Sequence, residues 1–237
     1  MSGEVGILVQ ARMSSQRLPG KALLKIGKHP LIYYVVERLK ILKLPIVVCT
    51  STHSSDDPLV EYLESRSYSY FRGSLENVLQ RYIDAAEKHQ LKNIIRITGD
   101  NPLVDIGKLQ HSIPLLNNYD YVDGIYAGGG LITGTGFELV KLHELKKIKS
   151  DKNFYKEHVT TFLRELLPVS SKMIQLVPDE LNYYRDDIFL TCDYPEDLEL
   201  LRKIFTHFQF RCDIEIEEVL KFLGKYPLYK KLNSHLH

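Results

Sequence analysis

Arg12, Arg17, Lys21, Lys25 and Lys28 fall in one stretch, ARMSSQRLPGKALLKIGK, and no acidic residue stands between Val5 and Val36. The whole chain has 31 basic and 30 acidic residues and a formal net charge of +1, so this asymmetry is local. Cationic side chains set among Ser, Gly and Pro turns, which expose backbone N–H groups, suit a polyphosphate. Met13, Leu18 and Leu23 interleave the charges, which points to a packed loop rather than a solvated one. The stretch is not a P-loop, because Ala22 follows Gly20-Lys21 where that motif needs Ser or Thr. Gly6 is the only glycine between Val5 and Gly20, so the dinucleotide fingerprint is missing too.

A second pattern occurs twice: TGDNP at 98–102 and TCDYP at 191–195. Each Asp follows an apolar run and each Pro can open the next element. Either motif alone would be an ordinary turn or helix start. Together they place Asp100 and Asp193 at the carboxyl ends of strands on one rim, facing the basic loop. Two carboxylates beside phosphate oxygens make a Mg²⁺ site. A third segment, FRGSLENVLQRY, ends a strand at Arg72-Gly73 and starts a helix at Ser74. A strand-end arginine beside a helix N-terminus can contact a ribose, a base edge or a phosphate. The histidines offer no HExxH, and His158 reads as a structural residue of a helix. No GxSxG elbow suggests a serine hydrolase.

These residues need a frame of strands that end at one rim. The first half of the chain alternates strand and helix signals. Strands are expected at Val5–Gln10, Ile46–Thr50, Tyr68–Arg72, Asn93–Thr98 and Asp120–Tyr126. Helices are expected at Pro30–Leu42, at Asp57–Arg66, from Ser74 as cap, and around Gly107–Leu116 with a bend at Pro114. This alternation implies an α/β fold, a mostly parallel sheet with helices on both faces. AGGGLITGTG then holds five of the fourteen glycines and reads as a turned loop. Beyond it, Phe137–Lys149 and Tyr155–Leu167 read as helices, and Ser171–Val177 and Ile188–Cys192 as strands. Pro195–Phe205 and Glu215–Gly224 read as helices, and YPLYKKLNSHLH as a polar tail that includes His235 and His237. Residues 1–237 form a single domain in this reading, with 128–187 as a small inserted subdomain.

Composition narrows the class. With 44% hydrophobic and 26% charged residues over 237 positions, the chain can hold a full core without staples. The near-zero net charge argues against a nucleic-acid binder. No apolar run approaches the ~20 residues of a membrane span, and the N-terminus lacks signal-peptide features. Cys49, Cys192 and Cys212 fit no zinc or disulfide spacing, and each reads as a small hydrophobe in or beside a buried strand. A reducing cytoplasm is the expected compartment.

ARMSSQRLPGKALLKIGKHPLI resembles the N-terminal signature of the cytidylyltransferases that make CMP-activated acidic sugars. The matching residues are Arg12, Ser15, Arg17, Leu18, Pro19, Gly20, Lys21 and Leu23. That family includes the CMP-Kdo and CMP-acylneuraminate synthetases. RGSLENVLQRY, RITGDNPLVD, KEHVTTFLRE and LTCDYPEDLELLR look most like its spore-coat polysaccharide biosynthesis protein F subgroup. The resemblance implies a three-layer fold of the nucleotide-diphosphosugar-transferase type, cytoplasmic and homodimeric. It implies that a sugar hydroxyl attacks the α-phosphorus of CTP in line and that pyrophosphate leaves. Arg12, Arg17 and Lys21 would hold the phosphates, with Arg12, Lys21 and Asp100 as the catalytic groups. Asp100 and Asp193 would hold Mg²⁺, and Ala11, Arg72, Gly73 and Ser74 would approach the cytidine. The sugar carboxylate would need a cation, for which Arg164 and Arg185 are candidates. Asn77 stands where the subgroup commonly has an acidic residue, and GGGLITGTGFE departs from the Kdo enzymes. A related glycosyltransferase is the alternative enzyme, but no D-x-D motif occurs. A non-catalytic nucleotide-binding protein is the alternative outside enzymes.

Overall fold

The computed structural model describes residues 4–124, 132–148, 153–166, 169–176 and 185–237. A seven-stranded sheet forms its centre, in the order β5-β4-β1-β6-β8-β7-β9. The strands are β1 (Val5–Gln10), β4 (Ile46–Ser51), β5 (Tyr70–Gly73), β6 (Asn93–Thr98), β7 (Tyr121–Asp123), β8 (Glu138–Lys141) and β9 (Met173–Gln175). β1 pairs in parallel with both β4 and β6, and β4 with β5. β8 runs antiparallel to both its neighbours, β6 and β7. A two-stranded hairpin, β2 (Lys25–Ile26) and β3 (His29–Pro30), stands apart.

The period of two along each strand divides the core. Ile7, Val9, Val48, Ile95 and Ile97 face one layer, which holds α1 (Leu31–Leu39), α2 (Asp57–Ser65) and α4 (Ile106–Ser112). Leu8, Val47, Cys49 and Ile94 face the opposite layer. That layer holds α3 (Val78–Lys88), α5 (Leu142–Lys147) and α7 (Thr161–Leu166). A third apolar cluster joins α8 (Pro195–His207) and α9 (Ile216–Lys225) to Ile26, Leu31 and Tyr34. The α/β expectation thus holds in its layers as well as its strand directions.

Strand order carries the functional consequence. From β1 the chain moves outward through β4 to β5, then returns to place β6 on the other side of β1. The crevice between the carboxyl ends of β1 and β6 is a topological switch point, where open α/β sheets bind ligands. Gly99 lets the two strand ends close up. Its N–H donates to the Gln10 carbonyl at 2.7 Å. A Cβ on it would lie 2.8 Å from that oxygen. The loop after β1 is stapled by Asp56, which is fully buried. One carboxylate oxygen accepts from Met13 N at 2.7 Å and the other from Ser51 N at 3.0 Å. Burial pushes the Asp56 carboxyl up, but these hydrogen bonds more than offset it and hold it below its ordinary value. Asp56→Ala leaves two backbone donors unpaired. It is expected to lower unfolding stability by about 2 kcal/mol in a urea titration. A loss below about 0.5 kcal/mol would show that the staple is dispensable.

Several local expectations are corrected. Phe137–Lys149 is strand β8 followed by helix α5 through Lys147, because Leu139 and Val140 face opposite layers while Glu138 finds buried partners across the sheet. The helix expected at Tyr155–Leu167 is two short ones, α6 (Asn153–Glu157) and α7, broken at 158–160. Ile188–Cys192 is an extended segment outside the sheet, tied by one bridge from Phe189 to Thr133. Helix α3 is capped by Asn77, whose side chain accepts from Gln80 N at 3.0 Å. Ser74 instead caps the preceding turn through Asn77 N. The tail is not merely polar: it contains α10 (Pro227–Lys230), and Asn233 is buried. Cys49 and Cys192 are buried as expected, but Cys212 is half-buried between α8 and α9, beside no strand. Residues 125–126 of the strand expected at 120–126, and residues 127–131 of the glycine-rich loop, lie outside the described residues. Among the described residues no helix is long and apolar enough to cross a membrane.

Candidate active site

A cavity of about 580 Å³ opens at the switch point. Its walls include Ala11, Arg12, Arg17, Lys21, Asp100 and Asp193, all expected there, with Gln10, Arg96, Glu157 and His158. Arg12 and Arg17 come from the loop after β1. Lys21 opens a one-turn 3-10 helix, Lys21–Leu23, directly after Gly20, whose positive φ of 70° the turn requires. Asp100 follows β6. Asp193 reaches the same place without belonging to a sheet strand: Cys192 N donates to the Asp100 carbonyl at 3.0 Å. Gly134 makes this possible. Leu190 N donates to the Thr133 carbonyl at 2.8 Å, and a Cβ on Gly134 would lie 2.2 Å from Thr191 N.

The centre of the cavity is an ionic triad. Lys21 Nζ lies 2.6 Å from Asp100 Oδ2 and 2.9 Å from Asp193 Oδ1. Arg17 closes on the same Asp193 oxygen at 2.9 Å and lies over the Tyr194 ring. Burial pushes Asp100 up, but the Lys21 ammonium outweighs it and holds the carboxyl below its ordinary value. Burial likewise pulls Lys21 down, and the two carboxylates outweigh it, so the ammonium is held above its usual range. The two carboxylates converge on one cationic centre. Such an all-oxygen donor pair fits a hard divalent cation that keeps water and phosphate as its other ligands. A three-ligand cluster of Asp120, His143 and Glu144 lies elsewhere. There Lys141 and Lys147 already pair with the two carboxylates.

Arg12 reaches across the cavity mouth to Glu157 of α6 at 3.1 Å. His158, which follows, lines the cavity with its ring against Phe154. Neither Glu157 nor His158 was singled out for the site from sequence. Their only signal was the KEHVTTFLRE resemblance, and the helix break that aims them inward is not a periodicity feature. The floor is built by Arg96 of β6, which donates to the fully buried Glu138 of β8. Tyr121 and Arg164 also donate to Glu138, the latter at 2.7 Å.

Other expected contacts lie away from the cavity. Arg72 Nε donates to the Ser51 carbonyl at 2.8 Å, and its Nη2 to the His53 carbonyl at 3.1 Å and to Asp57 at 2.7 Å. This clamps the turn between β4 and α2. Gly73 packs over Arg81, and Ser74 accepts from Arg81 Nη1 through its carbonyl. Arg164 pairs with Asp123 and Glu138. Arg185 makes a two-pronged pair with Asp187, which Lys230 also meets. None of these five residues lines the cavity.

Comparison with known proteins agrees with this architecture. The family model for cytidylyltransferases matches residues 6–223. An uncharacterized protein of Methanocaldococcus jannaschii is 34% identical over 97% of this chain and 94% of its own length. The spore coat polysaccharide biosynthesis protein SpsF of Bacillus subtilis is 29% identical over 94% of this chain and 95% of its own. A solved cytidylyltransferase from Leptospira borgpetersenii superposes with a TM-score of 0.87 at 30% identity, covering 95% of this chain and 96% of that one.

Proposed function

The chain belongs to the cytidylyltransferase family, a CTP-dependent nucleotidyltransferase group, and we propose that it transfers CMP from CTP to a hydroxyl of an acidic sugar and releases pyrophosphate. The observation that carries the reading is the pair of carboxylates, Asp100 and Asp193, meeting the loop cations Arg17 and Lys21 at the switch point. Phosphoryl-type transfer of this kind needs positioning and charge neutralisation more than covalent chemistry. Asp100 and Asp193 would hold Mg²⁺, which when bound supplies charge neutralisation at the phosphate oxygens. Lys21 would pass from the carboxylates to the triphosphate as a point charge. Arg12 would exchange Glu157 for the phosphates, and Arg17 would stay with the departing pyrophosphate. The backbone at Ala11, which lines the cavity, would approach the cytidine.

The acceptor side rests on the resemblance to enzymes of acidic sugars and on the composition of the cavity mouth. His158, which lines the cavity beside Arg12 and Glu157, would donate a ring N–H to the sugar carboxylate while Arg12 serves the phosphates. Arg164 and Arg185 are engaged by their own carboxylates and would serve only after rearrangement. We place the enzyme in the cytoplasm as a homodimer, which a single monomeric mass in light scattering would overturn.

The first test is a thermal-shift panel of CTP, UTP, ATP, GTP and UDP-sugars, each with and without Mg²⁺. A ligand at 100 times its Kd adds about 2.7 kcal/mol. CTP with Mg²⁺ is expected to raise the midpoint well above every other condition. A larger shift with a UDP-sugar would replace the proposed reaction with glycosyl transfer. Pyrophosphate release over a panel of acidic and neutral sugars then decides the acceptor.

A further inference from the structure

Asp197 lies in the first turn of α8, four residues after Asp193, and its side chain is fully buried. A buried carboxylate needs donors, and Asp197 has four. Its Oδ2 accepts from the backbone N–H groups of Asp193 and Tyr194, each at 2.8 Å. Its Oδ1 accepts from Asn233 Nδ2 at 2.7 Å and from His237 Nε2 at 2.9 Å. The second hydrogen of Asn233 Nδ2 goes to the Phe189 carbonyl at 2.8 Å. The His237 ring stacks on Phe189, with centroids 4.6 Å apart and planes 15° apart, and meets Tyr194 edge-on. Among the described residues the extended segment that carries Asp193 has one β-bridge, at Phe189, besides the Cys192 N bond to the Asp100 carbonyl. Asn233 and His237 hold its Phe189 end directly and its Asp193 end through Asp197 and Tyr194.

We propose that Asn233 and His237 are positioning residues of the metal site, holding Asp193 in place through Asp197. The inference rests on the reading of Asp100 and Asp193 as the metal pair. A helix-capping carboxylate alone would need only the two backbone donors. The two extra donors come from a distant part of the chain and fall on the oxygen that the cap does not use. Groups that orient a metal ligand from behind are worth about 10–100-fold in metal affinity when removed. The pull here is on the Asp193 backbone, so the loss should lie near the lower end.

Mn²⁺ alone, titrated into the protein and followed by the EPR signal of the free ion, reads the site without nucleotide or turnover. Deletion of residues 233–237 is expected to weaken Mn²⁺ about tenfold. The apparent Mg²⁺ requirement of turnover should rise alongside, by more than kcat falls. If the deletion does not fold, His237→Ala carries the same test, with Asn233→Ala as its companion. A purely structural role would lower Tm and leave the Mn²⁺ affinity unchanged, and that outcome overturns the proposal. Asp193→Asn separates the two readings. If it abolishes Mn²⁺ binding and the tail variants do not weaken it, the tail role fails alone. If Asp193→Asn leaves Mn²⁺ binding intact, the assignment of the metal pair fails.

Discussion

Asp100→Ala is expected to lower kcat by about 100-fold or more at saturating CTP and acceptor, with the protein still folded. The magnitude follows from losing one preorganised electrostatic group in a site whose chemistry is mostly charge neutralisation. The folded state should survive because the contact that ties this position to the 188–192 segment runs through its backbone. The Asp100 carbonyl accepts from Cys192 N, and that bond does not need the side chain. Lys21 is not stranded either, since Asp193 still meets its ammonium. The loss should fall on kcat more than on the KM for CTP, because Arg12, Arg17 and Lys21 remain to bind phosphates. Asp100→Asn keeps the shape and removes the charge, so it should be nearly as slow. A variant that turns over within a few-fold of the parent, with unchanged Mg²⁺ dependence, would take Asp100 out of the site.

Asp100 was legible in the sequence because its signal is local: an apolar strand, then Gly-Asp-Asn-Pro. The same holds for β1, β4 and β6, whose β-branched runs needed no distant information. Asp193 was legible as a partner of Asp100 by repetition of the motif, but its setting was not. An apolar run, IFLTC, reads as a strand, yet it lies outside the sheet and is held by Gly134, Asp100 and the tail. Arg72 illustrates the opposite error of scale. Its position at a strand end suggests a ligand contact, while its Nε and Nη2 donate to carbonyls at the end of β4 and in the turn that follows and to Asp57. Glu138 shows the limit most clearly. A charged residue within an apolar stretch favours an amphipathic helix by pattern, and only the pairing with Arg96 and Arg164 makes it a buried strand residue. Those partners stand 42 and 26 positions away, beyond any local periodicity. His237 reads as tail from sequence for the same reason: its partner, Asp197, is 40 residues distant.

Glu138 also supports the prediction with the largest effect on stability. Its carboxylate is fully buried, with Arg96 on one oxygen and Tyr121 and Arg164 on the other. Breaking a buried pair by removing one partner costs about 3–5 kcal/mol, because it leaves an uncompensated buried charge. In Glu138→Ala that charge is Arg96, whose guanidinium retains a long 3.4 Å contact to Gln10 and its place over the Tyr82 ring, 5.8 Å from the centroid. Arg164 is one-third exposed and keeps Asp123, so it contributes less. For a chain of this length, 1 kcal/mol corresponds to about 2–4 °C, so Tm should fall by about 10 °C. The pH dependence has a definite sign. Burial pushes the Glu138 carboxyl up, but the two arginines outweigh it and hold it below its unfolded value of about 4.5. Its contribution is therefore present above pH ~4.5 and is lost as pH falls through the folded value. Urea titrations from pH 7 to pH 3 should show the parent losing stability faster than Glu138→Ala as the two converge. The double variant Glu138→Met with Arg96→Met should recover much of the loss, since neither charge is then buried alone. It should not recover turnover, because Arg96 lines the cavity. A Glu138→Ala protein within about 1 kcal/mol of the parent at pH 7, or one whose acid sensitivity is unchanged, would show that Arg96 finds other partners and that the floor does not depend on this carboxylate.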